Sequence, residues 1–282
     1  MQVEVRGPRL WFDVDGPALV PNGPRMRRRP TVVLLHGGPG SFDHSYLKPD
    51  FARLAEVAQV VWLDLPGHGR SDHGDPASWS FEGCADDVRG VCDALGIARP
   101  VVFGHSLGGF VAMLYGARHP GHVGALVLQS THGRFELQRI VEAFRRAGGD
   151  EVAATAERVY GGDGRSVTDE QWARCWRLFG PWVTGEQERA RTVLHRELNA
   201  PGLALMRGFD VLDQLGRVDC PTLVGVGELD PITPPAAARE LFEALPAGSA
   251  RLEVFEGAGH FTWKDTPGRY WPLLLEFVAG IR

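Results

Sequence analysis

The sequence predicts an α/β architecture: a mostly parallel, doubly wound sheet of about eight strands carrying a helical insertion. Three observations lead there. Aliphatic, β-branched runs recur without alternation, as expected of strands covered on both faces. Segments of helical period separate those runs, giving repeated strand–helix–strand units. One long stretch, about Thr131 to Gly208, carries helical patterns and no convincing strand.

Taken along the chain, Val3 to Val5 and Leu10 to Val14 alternate and read as a hairpin or paired edge strands. The basic run Arg25, Arg27, Arg28 and Arg29 lies among Pro21, Asn22, Gly23, Pro24 and Pro30, so a solvated turn is expected there. Buried strands are expected at Thr31–Leu35, Val60–Leu63, Val101–Phe103, Val123–Leu128, Thr222–Val226 and Leu252–Phe255. Helices are expected around Tyr46–Ala55, Phe81–Leu95, Leu107–Arg118, Pro235–Ala244 and Tyr270–Val278. Within the insertion, helical patterns cover Glu136–Ala147, Glu151–Tyr160 and Thr168–Phe179. The division that follows is a core of residues 1–130 and 209–282 and a helical cap of residues 131–208. The aromatics Phe144, Trp172, Trp176, Phe179 and Trp182 either pack that cap onto its base or line a pocket.

Thirty Lys and Arg against 35 Asp and Glu give a formal charge of −5, which disfavours nucleic acid as a partner. Cys84, Cys92, Cys175 and Cys220 form no Cys-x-x-Cys pair, so inert thiols and no metal are expected. The N-terminus lacks the apolar run of a signal peptide, and no 18 consecutive apolar residues occur. A soluble cytoplasmic protein without membrane association is the expectation; oligomeric state stays open.

The sharpest chemical signal is Gly104-His105-Ser106-Leu107-Gly108-Gly109, set between a buried strand and a helix. A serine on such a tight turn adopts a strained backbone with its hydroxyl exposed, and its flanking glycines avoid collision. The helix start supplies the Leu107 amide as one oxyanion donor. A second donor is expected in the loop His36-Gly37-Gly38-Pro39-Gly40, with Gly38 preferred over Gly37 or Ser41. His36 precedes the nucleophile and is expected to brace that loop.

The base and its orienting acid should lie on loops at the carboxyl ends of later strands. Two loops fit: Gly227-Glu228-Leu229-Asp230-Pro231 and Glu256-Gly257-Ala258-Gly259-His260. The catalytic set expected is Ser106 as nucleophile, His260 as base and Asp230 as its partner, with Glu228 a competitor for the acid. The other histidines, His44, His68, His73, His105, His119, His122, His132 and His195, are expected away from those loops. The Asp64–Asp72 loop is expected to be a turn whose carboxylates bind backbone amides. No cofactor is expected.

His36-Gly-Gly-Pro-Gly40, Asp64-Leu-Pro-Gly-His-Gly-Arg-Ser-Asp72, the Gly104–Gly109 turn, the Gly227–Asp230 loop and Gly257-Ala-Gly-His260 occur in that order. Together they resemble the α/β-hydrolase fold superfamily over nearly the whole chain. His-Gly-Gly-Pro-Gly is similar to the proline iminopeptidase branch of serine peptidases, whose members release N-terminal residues from short peptides beneath a helical cap. Asp64-Leu-Pro-Gly resembles instead the esterase and lactonase pattern, and Pro231 stands where some peptidase members carry an acidic residue. The Ser at the turn differs from the Asp of dehalogenases and epoxide hydrolases that share the resemblance.

The expectation is therefore a serine hydrolase forming an acyl-enzyme on a small ester, lactone or amide. A proline iminopeptidase-like aminopeptidase is the alternative, and a lyase or ligand receptor on the same scaffold a second. The substrate is expected to be a small molecule or short peptide. A peptidase needs carboxylates for the substrate amine. Glu170, Glu186, Glu188 and Glu197 are the candidates, though Arg174, Arg189, Arg191 and Arg196 offer them surface pairing. A pocket floored by aromatic and aliphatic cap residues is expected.

Overall fold

The computed structural model describes residues 1–75, 79–162, 167–178 and 191–281, apart from the side chains of Asp169 and Trp172. Phe179, Trp182, Glu186, Glu188 and Arg189 lie outside the described residues, as does the Trp172 side chain.

Among the described residues, eight strands form the central sheet. These are β1 (Gln2–Glu4), β2 (Arg9–Asp15), β5 (Thr31–Leu35), β6 (Gln59–Leu63), β7 (Val101–His105), β8 (Ala125–Gln129), β9 (Thr222–Gly227) and β10 (Ala250–Phe255), in the order β1-β2-β6-β5-β7-β8-β9-β10. The first two strands run antiparallel, and every pair from β6 to β10 is parallel. Residues of β7, β8 and β9 are buried throughout, which accounts for their mostly apolar sequences, polar only at an end.

The two remaining strands, β3 (Leu19–Asn22) and β4 (Arg25–Arg28), pair as a separate hairpin. This corrects the expected turn over the arginine run. Only Gly23 and Pro24 turn the chain, while Arg25 to Arg28 satisfy their backbone groups against β3 and leave all four side chains exposed.

Helix α2 (Phe81–Ala94) starts where the Ser80 side chain accepts the Gly83 amide at 2.9 Å. Helix α3 (Leu107–Arg118) is buried from Leu107 to Ala117, so its apolar sequence has no polar face. Helix α8 (Pro235–Ala244) and helix α10 (Pro267–Gly280) complete the core, the latter preceded by the short α9 (Thr262–Asp265). The expected helix at Tyr46–Ala55 is broken into a 3₁₀ turn at His44–Tyr46, a four-residue α1 (Lys48–Phe51) and a second 3₁₀ turn at Ala52–Glu56. Pro49 accounts for part of this, since a proline suits a first turn but cannot continue a ladder.

Between β8 and β9 lie the cap helices α4 (Leu137–Gly148), α5 (Asp150–Gly161), α6 (Asp169–Arg177) and α7 (Asn199–Arg207). A capping box of Thr168 and Gln171 opens α6. Helix α7 carries no helical signal in the sequence. Its Pro201 and Gly202 disguise it, yet proline is tolerated in a first turn. A Cβ on Gly202 would stand 2.3 Å from Pro39 Cβ, so the glycine lets α7 press onto the loop after β5. No helix among the described residues is long and apolar enough to cross a membrane.

Candidate active site

Strand order reverses around β5, because β6 pairs on one side of it and β7 on the other. Ligands of open α/β sheets bind at such a point, outside the carboxyl ends of the strands. Here the loops after β5 and β7 meet those after β9 and β10.

Ser106 stands between β7 and α3, capping the helix, with φ 53° and ψ −117°, a left-handed conformation that a non-glycine residue adopts at a cost. The surrounding turn leaves no room for side chains. A Cβ on Gly104 would lie 2.3 Å from the Gly108 carbonyl oxygen, and one on Gly108 2.3 Å from that of Leu35.

Asp230 and His260 are both buried, and the Nδ1 of His260 meets Asp230 Oδ2 at 2.8 Å. The same carboxylate accepts the Ile232 amide at 2.9 Å, the Thr233 amide at 3.0 Å and the Thr233 hydroxyl at 2.6 Å. Burial alone would raise the Asp230 pKa; the nearby His260 and the hydrogen bonds of His260 and Thr233 outweigh it and hold the carboxyl below its ordinary range. Glu228 is directed elsewhere, its Oε2 accepting the Gly257 amide at 2.9 Å and so bracing the loop that carries His260.

The loop after β5 supplies donors. The Gly37 amide donates to the Tyr46 hydroxyl at 2.9 Å, and the Ser41 amide to the Pro39 carbonyl at 2.8 Å. The amides of Gly38 and Leu107 have no acceptor among the described residues; that of Leu107 is the first N–H of α3. His36 braces the loop as expected. Its Nε2 accepts the Leu65 amide at 3.1 Å, so its proton sits on Nδ1, 2.6 Å from the Gly37 carbonyl.

His105 does not lie away from the base loop, contrary to expectation. Its Nε2 approaches the His260 carbonyl at 3.2 Å, and its Nδ1 lies 2.7 Å from the Tyr46 hydroxyl. A carbonyl can only accept, so His105 donates from Nε2 and accepts the Tyr46 proton at Nδ1. The chain Gly37, Tyr46, His105, His260 therefore links the loop after β5 to the loop after β10. Burial holds the His105 imidazole well below its ordinary pKa, and hence neutral.

The Asp64 loop is the structural turn expected. Asp64 accepts the amides of His44 at 3.0 Å and Arg70 at 2.9 Å. Asp43, which the sequence did not single out, accepts the Ser45 amide and the Val193 amide, both at 2.8 Å, tying the β5 loop to the segment before α7.

A cavity of about 380 Å³ adjoins these groups, and Gly38, His105, Ser106 and His260 are among the residues that line it. Its walls are largely apolar, formed by Phe42, Val159, Tyr160, Trp176, Leu203, Met206, Ile232 and Phe261. Trp176 thus lines the cavity, whereas Phe144 is fully buried in the core. Of the candidate carboxylates, Glu170 is exposed beside Arg174 at 3.2 Å. Glu197 does reach the cavity, together with Arg196, and its Oε1 lies 3.3 Å from His195 Nδ1. Thr233, Tyr46, Phe42 and Phe261 are site residues that the sequence did not mark. Thr233 alone had a signal, a hydroxyl three residues after an aspartate in a proline-rich turn.

Several known proteins share this architecture. A family model described as the alpha/beta hydrolase fold matches residues 30–161. The pimeloyl-(acyl-carrier protein) methyl ester esterase of Chromobacterium violaceum is 32% identical over 243 residues, 82% of this chain and 87% of its own. A proline iminopeptidase of Pestalotiopsis fici is 26% identical over 276 residues, covering 92% of each chain. The crystal structure of the Mycobacterium smegmatis proline iminopeptidase superposes with a TM-score of 0.79 over 99% of this chain and 97% of that one, at 23% identity. With the sheet order, the serine turn and these likenesses in agreement, the chain belongs to the α/β-hydrolase fold family and resembles its proline iminopeptidases.

Proposed function

We propose that the protein is a serine hydrolase of small esters or lactones that works through an acyl-enzyme, with residues 131–208 acting as its cap. In this reading Ser106 Oγ attacks the substrate carbonyl carbon and its proton passes to His260, whose imidazolium Asp230 stabilises. The amides of Gly38 and Leu107 bind the oxyanion. Collapse expels the alcohol, which takes the proton from His260; water then attacks the acyl-serine with His260 again as base, giving the acid and restoring Ser106.

The observation that carries the preference for esters is the cavity wall. It is largely apolar, and among the described residues its one carboxylate, Glu197, is 59% exposed and already beside His195. A cationic substrate amine would lose hydration there with little to offset it. The relative at 32% identity is named a methyl ester esterase, which supports the same ordering.

The iminopeptidase reading stands second, favoured by the relative of that name that covers 92% of the chain and by Glu197 reaching the cavity. Turnover of 4-nitrophenyl butyrate, proline 4-nitroanilide and N-acetylproline 4-nitroanilide separates the two. The ester is expected to be turned over at least as fast as the free-amine prolyl amide. Strong preference for proline 4-nitroanilide over both others would reverse the order.

A further inference from the structure

Three side chains of metal-ligating type converge from two distant parts of the chain, and one of them, Glu197, lines the cavity. His73 follows the Asp64–Asp72 loop, while His195 and Glu197 precede α7. Glu197 Oε1 lies 3.7 Å from His73 Nδ1 and 3.3 Å from His195 Nδ1, and the three ligand atoms all fall within 4.8 Å of one another. Ligands at roughly 2.0–2.1 Å from a tetrahedral ion stand about 3.3–3.5 Å apart, so two of these separations are close to the edges of such a polyhedron.

The tautomer of His195 supports the same conclusion. Its Nε2 lies 2.9 Å from the Gly69 carbonyl, which can only accept, so Nε2 carries the proton. In the neutral ring Nδ1 is then a bare lone pair, and it faces a carboxylate oxygen, an arrangement that repels unless a cation or a second ring proton lies between. An imidazole whose other N–H is fixed by a backbone carbonyl is the usual form of a metal-bound histidine. The position of His195 is further held by its own amide, which donates to the Gly40 carbonyl at 2.9 Å.

We propose that His73, His195 and Glu197 form a site for a borderline transition-metal ion of the zinc type, clamping the loop before α2 to the segment before α7 beside the cavity that Glu197 lines. Two imidazoles and one carboxylate favour such an ion over magnesium or calcium, which prefer all-oxygen shells. With three protein ligands the fourth position is left to water or to an oxygen of a molecule entering the cavity. The site is independent of the hydrolytic reading, because none of its ligands belongs to the proposed catalytic set. The sequence could not suggest it, since 122 positions separate His73 from His195.

Titration calorimetry of the full chain with Zn²⁺, after chelator treatment, tests the proposal. One ion per chain is expected, with His73→Ala and Glu197→Gln each weakening binding at least about tenfold. Zn²⁺ should raise the melting temperature of the parent chain and not of either variant, and Co²⁺ should give the intense visible absorption of a tetrahedral site. Far-ultraviolet circular dichroism of the variants confirms that they fold. Binding unaffected by either substitution, or no stoichiometric binding by the parent chain, would overturn the site.

Discussion

Asp230 is the residue at which local chemistry is most dense. It receives four hydrogen bonds, and Thr233 contributes two of them, one from its amide and one from its hydroxyl to the oxygen that His260 also uses. A hydroxyl bond to a buried carboxylate is worth about 1.5–3 kcal/mol. Its loss should let the carboxylate rotate away from the imidazole it orients. Thr233→Val keeps the side-chain shape and removes the donor, so kcat for ester hydrolysis should fall about tenfold. KM should move little, and Thr233→Ser should restore the rate. Equal rates for the valine and serine variants would show that Thr233 acts only through packing. Gly104 and Gly108 illustrate the same density in another form, since the tight turn around Ser106 exists only because neither position carries a side chain.

At the level of elements, strands were the most legible feature. Thr31–Leu35 was located to the residue, because a parallel strand covered on both faces leaves an uninterrupted apolar run between loop residues. Pro235–Ala244 was equally clear, with prolines before it and a periodic apolar face. What failed had local causes. Arg25–Arg28 looked like a loop because it has no apolar face, and it pairs through its backbone alone. Helix α7 was hidden by Pro201 and Gly202, whose value lies in a contact with Pro39 some 160 residues earlier in sequence. For the site, Ser106, Asp230 and His260 were marked by motif and loop position. His105, Tyr46 and Asp43 were not, because their roles consist of hydrogen bonds to residues remote in sequence. The cap helices are intermediate: α4, α5 and α6 announced themselves by period, yet which of their faces meets the cavity depends on packing that period does not encode.

For the molecule as a whole, buried neutral histidines contribute to the loss of stability in mild acid, above the range where buried carboxylates such as Asp230 and Asp64 add to it. Burial lowers the imidazoles of His36, His68, His105 and His132 below their ordinary range, His68 and His132 to about 3. In the unfolded chain each titrates near the ordinary value of about 6.5. Above that pH neither state binds the proton and these groups leave stability unchanged. As pH falls below it the unfolded state takes up protons that the fold refuses, so stability drops, and it continues to drop until pH reaches the folded values. His132 gives the cleanest test, since its Nε2 is buried with no hydrogen-bond partner among the described residues and its ring lies 4.7 Å from Phe110. His132→Phe should make the fall in unfolding free energy between pH 6 and pH 4 shallower by up to about 1.4 kcal/mol per pH unit. Denaturant titrations at several pH values measure this; parallel curves for the two proteins would show that His132 is protonated in the fold.

Every step of the proposed hydrolysis runs through Ser106 as nucleophile, and an active-site phosphonate tests that role most directly. Incubated with a fluorophosphonate and examined by intact-mass spectrometry and peptide mapping, the folded protein should gain a single adduct on Ser106. Heat denaturation or Ser106→Ala should abolish it, and the variant should lose at least about 10³-fold in ester turnover. A folded protein that resists labelling, or a Ser106→Ala variant that hydrolyses 4-nitrophenyl butyrate at a near-normal rate, would contradict the account.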